Sequence, residues 1–393
     1  MDKKRLLLTL CPIYLFFFMG DAILSSYYSL YFIHRGLDAM QQSILLGLIP
    51  FCLFLGCFLI STLSKTPRRT IWLFRICAGI ETGLTFGFAF CTNFTSLAIL
   101  TALLAFFNGA PFALIEAHSI LAIEGKNIRY GTIRIFGTLG YIVSLFAGYF
   151  LLSNLPFEDC YYFSAGFFAL GFLFSFFSKP ASGQSEEESS ENAEPFKPNK
   201  RAVVLLVLAM VLINGALFAT TYLLPIRLKG LGMEDADYSM IRSVGIAVEA
   251  GSMLLVPFLY RFFPNRKFPF YIAAAGFALA IALVIFITDP FACGYVNLVI
   301  TGVVKAFLYA YQMYFFEEVA GKKNLSRVFT IQYGLYNLLA SVMNLLSSTI
   351  YLNVGFGVLF GILAGLEAAG FVVLLFIPAK KEKEPNPTEE GVN

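Results

Sequence analysis

Glu116 and Arg134 stand on either side of a short basic turn, each inside an otherwise apolar run. Glu116 lies nine residues before Gly125 and Arg134 nine after it. In an antiparallel helix hairpin rising about 1.5 Å per residue, both fall roughly 13 Å from the turn. That is close to half of a hydrocarbon core about 30 Å thick. A lone charge at such depth costs about 2.5–3.5 kcal/mol or more, so a matched pair there implies either a polar ligand or a structural clamp between two helices. Arg134, Gly137, Thr138 and Tyr141 follow i, i+3, i+4, i+7 spacing, which puts a guanidinium, two small surfaces and a phenol ring on one helix face. That face suits a polar ligand with one apolar side, whereas a clamp has no use for the ring. Gly131, Gly137 and Gly140 allow a second backbone to approach, and Pro111 predicts a kink in the preceding helix.

Other charges lie in apolar surroundings. Asp21 shares a helical face with Tyr14, Ser25 and Tyr28, and three roles fit it: a proton-carrying acid that alternates between neutral and charged, a substrate contact, or a structural partner for Lys305. Glu249 follows Arg242 by seven residues, hence shares its face, and is the acid best placed in the second half to line a cavity or carry a proton. Glu81 and Glu367 are expected to make structural hydrogen bonds in peripheral helices. His118, two residues past Glu116, points to a different face and reads as a packing histidine. Asn108, Asn214, Asn337 and Asn344 are candidate polar groups for a cavity. With two histidines and seven scattered cysteines, no metal site and no disulfide framework is expected.

The elements that position these residues are set by composition. The chain is 58% hydrophobic, 17% aromatic and 13% charged, with a mean hydropathy of +0.74, which excludes a soluble globular protein. Apolar segments of spanning length fall at about 6–32, 40–62, 70–90, 96–123, 129–153, 160–178, 202–228, 239–262, 268–288, 291–318, 326–352 and 355–378. The fold class expected is therefore all-α, a polytopic membrane protein of 12 transmembrane helices in two six-helix bundles. The first segment reads as a spanning helix rather than a cleaved leader. The domain reading is a bundle over 1–178, a flexible acidic linker over 179–201, a second bundle over 202–378 and a tail over 379–393. Most lysines and arginines outside the spans share the side of the N-terminus, with Arg35, Arg227, Lys229 and Arg242 opposite, so both termini are expected in the cytoplasm and the protein in the inner (plasma) membrane.

The halves also repeat each other. Arg35-Gly36-Leu37 returns as Lys229-Gly230-Leu231, and GKNIRYGTIRIFG at 125–137 returns as GKKNLSRVFTIQYG at 321–334. By that register Gln312 is the counterpart of Glu116, and Gln332 lies beside the counterpart of Arg134. The charged pair of one half becomes a neutral polar pair in the other.

The run APFALIEA, the eighteen residues from Glu116 to Arg134 and the motif Gly131-Thr132-Ile133-Arg134-Ile135-Phe136-Gly137-Thr138-Leu139-Gly140-Tyr141 closely resemble the lactose permease group of the major facilitator superfamily, with its proton-linked oligosaccharide, nucleoside and phenylpropionate relatives. The match is dense over about forty residues and looser elsewhere. It implies the major facilitator fold, substrate binding by Glu116 and Arg134, and ring stacking by Tyr141. Lys305 matches a lysine of that group, but the group's histidine and proton-carrying glutamate, three and six residues on, are Leu308 and Tyr311 here. Its usual proton site is therefore missing.

Together these readings predict no enzyme. They predict a secondary transporter that moves a small polar solute, a sugar or related compound, by alternating access in symport with protons. Substrate contacts are assigned to Glu116, Arg134, Tyr141, Gln312, Lys305, Asn108 and Gln332, and proton coupling to Asp21 or Glu249. An aromatic carboxylate or nucleoside remains an open cargo, and a non-transporting sensor or assembly factor on the same scaffold is the other class. The partners expected are the solute, protons and the bilayer, with no nucleic acid and no cofactor, and the chain is expected to be a monomer.

Overall fold

The computed structural model describes residues 3–124, 126, 128, 130–180, 199–259 and 267–377. The linker apart from its first and last residues, the tail, and turn residues Gly125, Asn127 and Arg129 lie outside the described residues. Within them the protein is all-helical, with thirteen helices: α1 (Lys3–His34), α2 (Ala39–Leu63), α3 (Pro67–Phe88), α4 (Phe94–Asn108), α5 (Pro111–Ile123), α6 (Tyr130–Asn154), α7 (Phe157–Ser175), α8 (Lys200–Gly230), α9 (Asp235–Leu259), α10 (Lys267–Phe286), α11 (Pro290–Ala320), α12 (Lys322–Val354) and α13 (Phe356–Leu375). Ten segments are long and apolar enough to cross a membrane, with α4 and α5 together forming one of them. Helices α7 and α10 complete twelve crossings.

The extra helix has a local cause. The fourth crossing breaks at Gly109–Ala110, just before Pro111, which starts α5 at its first turn. Proline is tolerated there because that N–H has no helical partner in any case. The break packs tightly on α2. A Cβ at Gly56 or Gly109 would run into the backbone of Phe106 or Leu53, respectively, so only glycine lets the two helices approach this closely.

Turn chemistry repeats between the halves, with a register different from that read in the sequence. After α1, Gly36 takes φ +71° and the Leu37 N–H reaches back to the Phe32 carbonyl at 3.2 Å. After α8, Gly232 takes φ +96° and the Met233 N–H reaches the Leu228 carbonyl at 3.1 Å. Both are glycine-terminated helix ends of the same design. The conformational counterpart of Gly36 is thus Gly232, not Gly230. On the first side the chain continues into a capping box, in which Asp38 caps the Gln41 N–H and Gln41 returns the bond.

Packing repeats as well. α1 lies against α6 and α7, as α8 lies against α12 and α13; α2 lies against α4, as α9 lies against α11; α3 lies against α7, as α10 lies against α13. The buried side chains fill the space between these helices, while large apolar residues such as Leu254, Val204 and Phe286 are exposed on the outside. That is the distribution expected where the solvent around the bundle is lipid. On the face opposite the N-terminus, Arg35 pairs with Glu158 at 2.9 Å and donates to the Ala89 carbonyl at 2.6 Å, joining α1, α7 and the end of α3.

The halves meet through α2 on α12, α6 on α9 and α1 on α8. A seam of short polar side chains marks these contacts. Ser43 and Ser348 share a hydrogen bond at 2.8 Å, Ser341 donates to the Gly47 carbonyl at 2.7 Å and Asn344 to that of Leu46 at 3.1 Å. Ser239 donates to the Leu145 carbonyl at 2.6 Å and also bonds Tyr27, and Ser29 donates to the Tyr222 carbonyl at 2.6 Å. All of these residues lie in the half of their helices remote from the N-terminal face. The molecule is therefore zipped together on that remote side.

Candidate functional site

Below the seam, between the two halves, is a cavity of about 800 Å³. The first half contributes Asp21, Ser25, Tyr28, Asn108, Glu116 and Tyr141, and the second contributes Phe218, Tyr222, Arg242, Lys305, Tyr309, Tyr333 and Tyr336, among others. Glu116 also lines a smaller pocket of about 400 Å³ beside the α2–α3 turn on the N-terminal face. Ala113 and Glu116 line both spaces, so the two adjoin at the first-half wall, on the side away from the seam described above.

Glu116 and Arg134 are brought together as the hairpin geometry requires. Arg134 Nε lies 3.3 Å from Glu116 Oε1, with side chains 41% and 38% exposed. The guanidinium lies over the Phe18 ring, 4.5 Å from its centre, and its Nη1 has no partner among the described residues. A flat cation resting on a ring, with Nε against a carboxylate and Nη1 closed off by its surroundings, is held on two sides and so fixes the position and charge of Glu116 at the cavity wall. Glu116 is in the cavity wall, and Arg134 stands behind it.

Tyr141 faces the cavity two turns beyond Arg134, its hydroxyl bonded to Ser25 at 2.8 Å. Asp21 lines the cavity too, with no ion pair to Lys305. Its partner is Asn108, the last residue of α4, whose side-chain amide donates to Asp21 Oδ1 at 3.1 Å and to Glu81 Oε1 at 2.6 Å. The hydrogen bond expected for Glu81 exists, but it leads to the cavity; the one expected for Glu367 is not made, both of its buried carboxylate oxygens being unpartnered among the described residues.

On the other wall Lys305 neighbours Glu249 and Arg242. The closeness comes from Gly302, one turn earlier, where a Cβ would meet the α9 backbone at Gly245 and Glu249. The sequence pattern puts Arg242 among the loop charges, but α9 begins at Asp235, so Arg242 lies seven residues inside the helix and lines the cavity. Tyr141, Tyr238 and Glu249 surround it. Gln312 and Gln332 are buried and bond each other at 3.2 Å, and neither is among the residues lining the cavity. His118 is fully buried and bonds Ser178 at 2.9 Å, while Asn344 serves the seam.

Sequence reasoning passed over Arg242 and the rings of the second half. The signal was present: Phe218 and Tyr222, Lys305 and Tyr309, and Tyr333 and Tyr336 are spaced three or four apart, so each pair shares one helix face. Their aromatic character read as packing, and nothing in a single sequence says which apolar face looks inward.

A family model described as MFS_1 like matches residues 7–351. The chain belongs to that family of major facilitator transporters. Among solved structures it is similar to the nucleoside transporter NupG, at a TM-score of 0.75 and 18% identity over 95% of this chain and 98% of that one. It is also similar to a D-xylose–proton symporter, at a TM-score of 0.73 and 14% identity over 97% and 99%. A relative in Bacillus subtilis (strain 168), the uncharacterised transporter YwbF, is 22% identical over 251 residues, which is 63% of this chain and 60% of the relative's length. At these identities the two solved structures speak for the fold. Its twelve crossings and the cavity between its halves are those of a major facilitator, and the family is one of transporters rather than enzymes.

Proposed function

We propose that the protein carries a small polar solute with a ring, a sugar or related compound, across the inner membrane in symport with protons, as a monomer with its N-terminal face in the cytoplasm. The observation that carries this reading is the cavity itself. Both halves line it, acids and cations stand on facing walls, and nine aromatic rings lie between them. Rings stack on the flat faces of a solute while hydroxyls and charged groups take its polar edge. Glu116, with Arg134 behind it, and Tyr141 hold the solute from the first half. Lys305, with Glu249 and Arg242, holds it from the second. Gln312 and Gln332 are assigned contacts made only when the bundles rotate, and Asn108 acts through Asp21. With the remote seam closed, this is the cytoplasm-facing state.

One observation favours a second cargo. Arg242 and Lys305 place two cations among aromatic rings, a setting suited to an aromatic carboxylate or a nucleoside.

A thermal-shift panel of sugars, nucleosides and aromatic acids on the purified protein separates these cargoes. The best stabiliser, added outside vesicles that contain the protein, is expected to enter and to make the external medium more alkaline as protons follow it. Entry without a pH change would rule out proton symport, and no entry of any stabilising solute would rule out transport of these classes.

A further inference from the structure

We propose that Asp21, Asn108 and Glu81 form one proton-binding unit, in which Glu81 keeps a resident proton and positions Asn108, while Asp21 exchanges its proton with the cavity. Its part in transport rests on the symport reading above; its chemistry does not.

Four observations carry it. Glu81 is fully buried, and beyond its bond to Asn108 its Oε2 is sealed with no partner among the described residues. Neither Glu81 nor Asp21 has an ion pair among those residues. An ionised carboxylate out of water, with one hydrogen bond and no cation, is not sustained, so the proton stays on Glu81. Asn108 has two amide hydrogens and gives one to each acid. The Glu81 carbonyl therefore fixes the rotamer that aims the second N–H at Asp21. Asp21 alone of the two acids reaches the cavity.

Among the described residues no charged side chain forms an ion pair with this unit; the charged groups that share its cavity are Glu116, held by Arg134, and Arg242 and Lys305 of the second half. Tyr28 on α1 faces both acids and Cys77 on α3 faces Glu81, while Tyr141 on α6 and Tyr222 on α8 face Asp21. All four are neutral near pH 7 in their ordinary states. In the exchange step a proton from cavity water adds to an Asp21 carboxylate oxygen, and the same O–H bond breaks when water takes it back. The unit's charge changes from minus one to zero, with Glu81 neutral throughout. Solute occlusion then proceeds without an uncompensated charge on the first-half wall.

The test is the infrared carbonyl band of carboxylic acids, followed against pH on the full chain in lipid vesicles, with no solute. Glu81→Gln keeps a carbonyl that accepts from Asn108, so it should remove a pH-independent acid band and leave the titrating Asp21 band in place. Asp21→Asn should remove the titrating band only. Asn108→Leu deprives ionised Asp21 of its hydrogen bond, so the Asp21 band should persist about one pH unit further into alkali; Glu81→Leu should reproduce that shift. A Glu81→Gln protein that loses no acid band would overturn the resident proton. An Asp21 titration unmoved by Asn108→Leu would overturn the positioning role. Because no solute is present, failure here leaves solute transport standing, and a failed solute screen leaves this result standing.

Discussion

Replacing Arg134 with lysine should lower solute uptake roughly ten- to hundredfold while leaving the thermal stability of the protein almost unchanged. Lysine keeps the positive charge but loses the planar fork and the flat face. In the structure the guanidinium has Nε on Glu116 and its face on Phe18, which sets the position of that carboxylate in the cavity wall. A hydrogen bond between solute and a charged group contributes about 1.5–3 kcal/mol, so a bond lost at a displaced Glu116 carboxylate costs that much, and each 1.4 kcal/mol is about a factor of ten. The fold should tolerate the change because both side chains are more than a third exposed, and exposed pairs contribute little to stability. Initial uptake rates in vesicles, beside a melting curve of the same preparation, decide between the readings. Loss of folded protein, or uptake at the normal rate, would point to a clamp instead of a site.

Joining Ser43 to Ser348 as a cysteine pair should stop transport altogether and reversibly. The two hydroxyl oxygens are 2.8 Å apart across the α2–α12 contact, and both residues are buried at 1% exposure. Side chains that meet this closely across a helix contact are suited to a disulfide, which joins β-carbons about 3.5–4.5 Å apart. If the solute must leave through the remote face, this seam has to part in every cycle. Oxidised S43C/S348C protein should show only background exchange, and a reductant should restore it, while each single cysteine variant should transport. Exchange at the full rate with the crosslink formed would mean that the seam never opens.

The fold was legible because its signals are long and repeated. Twelve apolar stretches, a break before residue 200 and the recurrence of one basic turn leave few other architectures for such a chain. Single turns were harder. Gly230 matches Gly36 by sequence, yet Gly232 adopts its conformation, because a helix can run two residues further before a glycine ends it. The fourth crossing announced its kink through Pro111, and the exact place depended on how closely α2 approaches at Gly56.

The first-half wall was readable from charge and spacing, since Glu116, Arg134 and Tyr141 stand out against an apolar background. The second wall was not. Arg242 looked like a loop residue because the start of α9 is polar, and tyrosines are as common in cores as in cavities. Glu81 belongs to a peripheral helix, where a buried acid reads as structural. What links it to Asp21 is a single asparagine amide at a helix end, a contact between three elements that no spacing within one of them reveals.

Whether solute occupies the space between the bundles is tested most directly at Cys57, a native cysteine in the cavity wall. In a protein whose other cysteines have been replaced, a membrane-impermeant maleimide is applied from one face of oriented vesicles at a time. Reagent on the N-terminal face should label Cys57, and the best-stabilising solute should slow that labelling in proportion to its occupancy. Labelling from the remote face alone, or at a rate that saturating solute does not change, would contradict a binding site in this cavity.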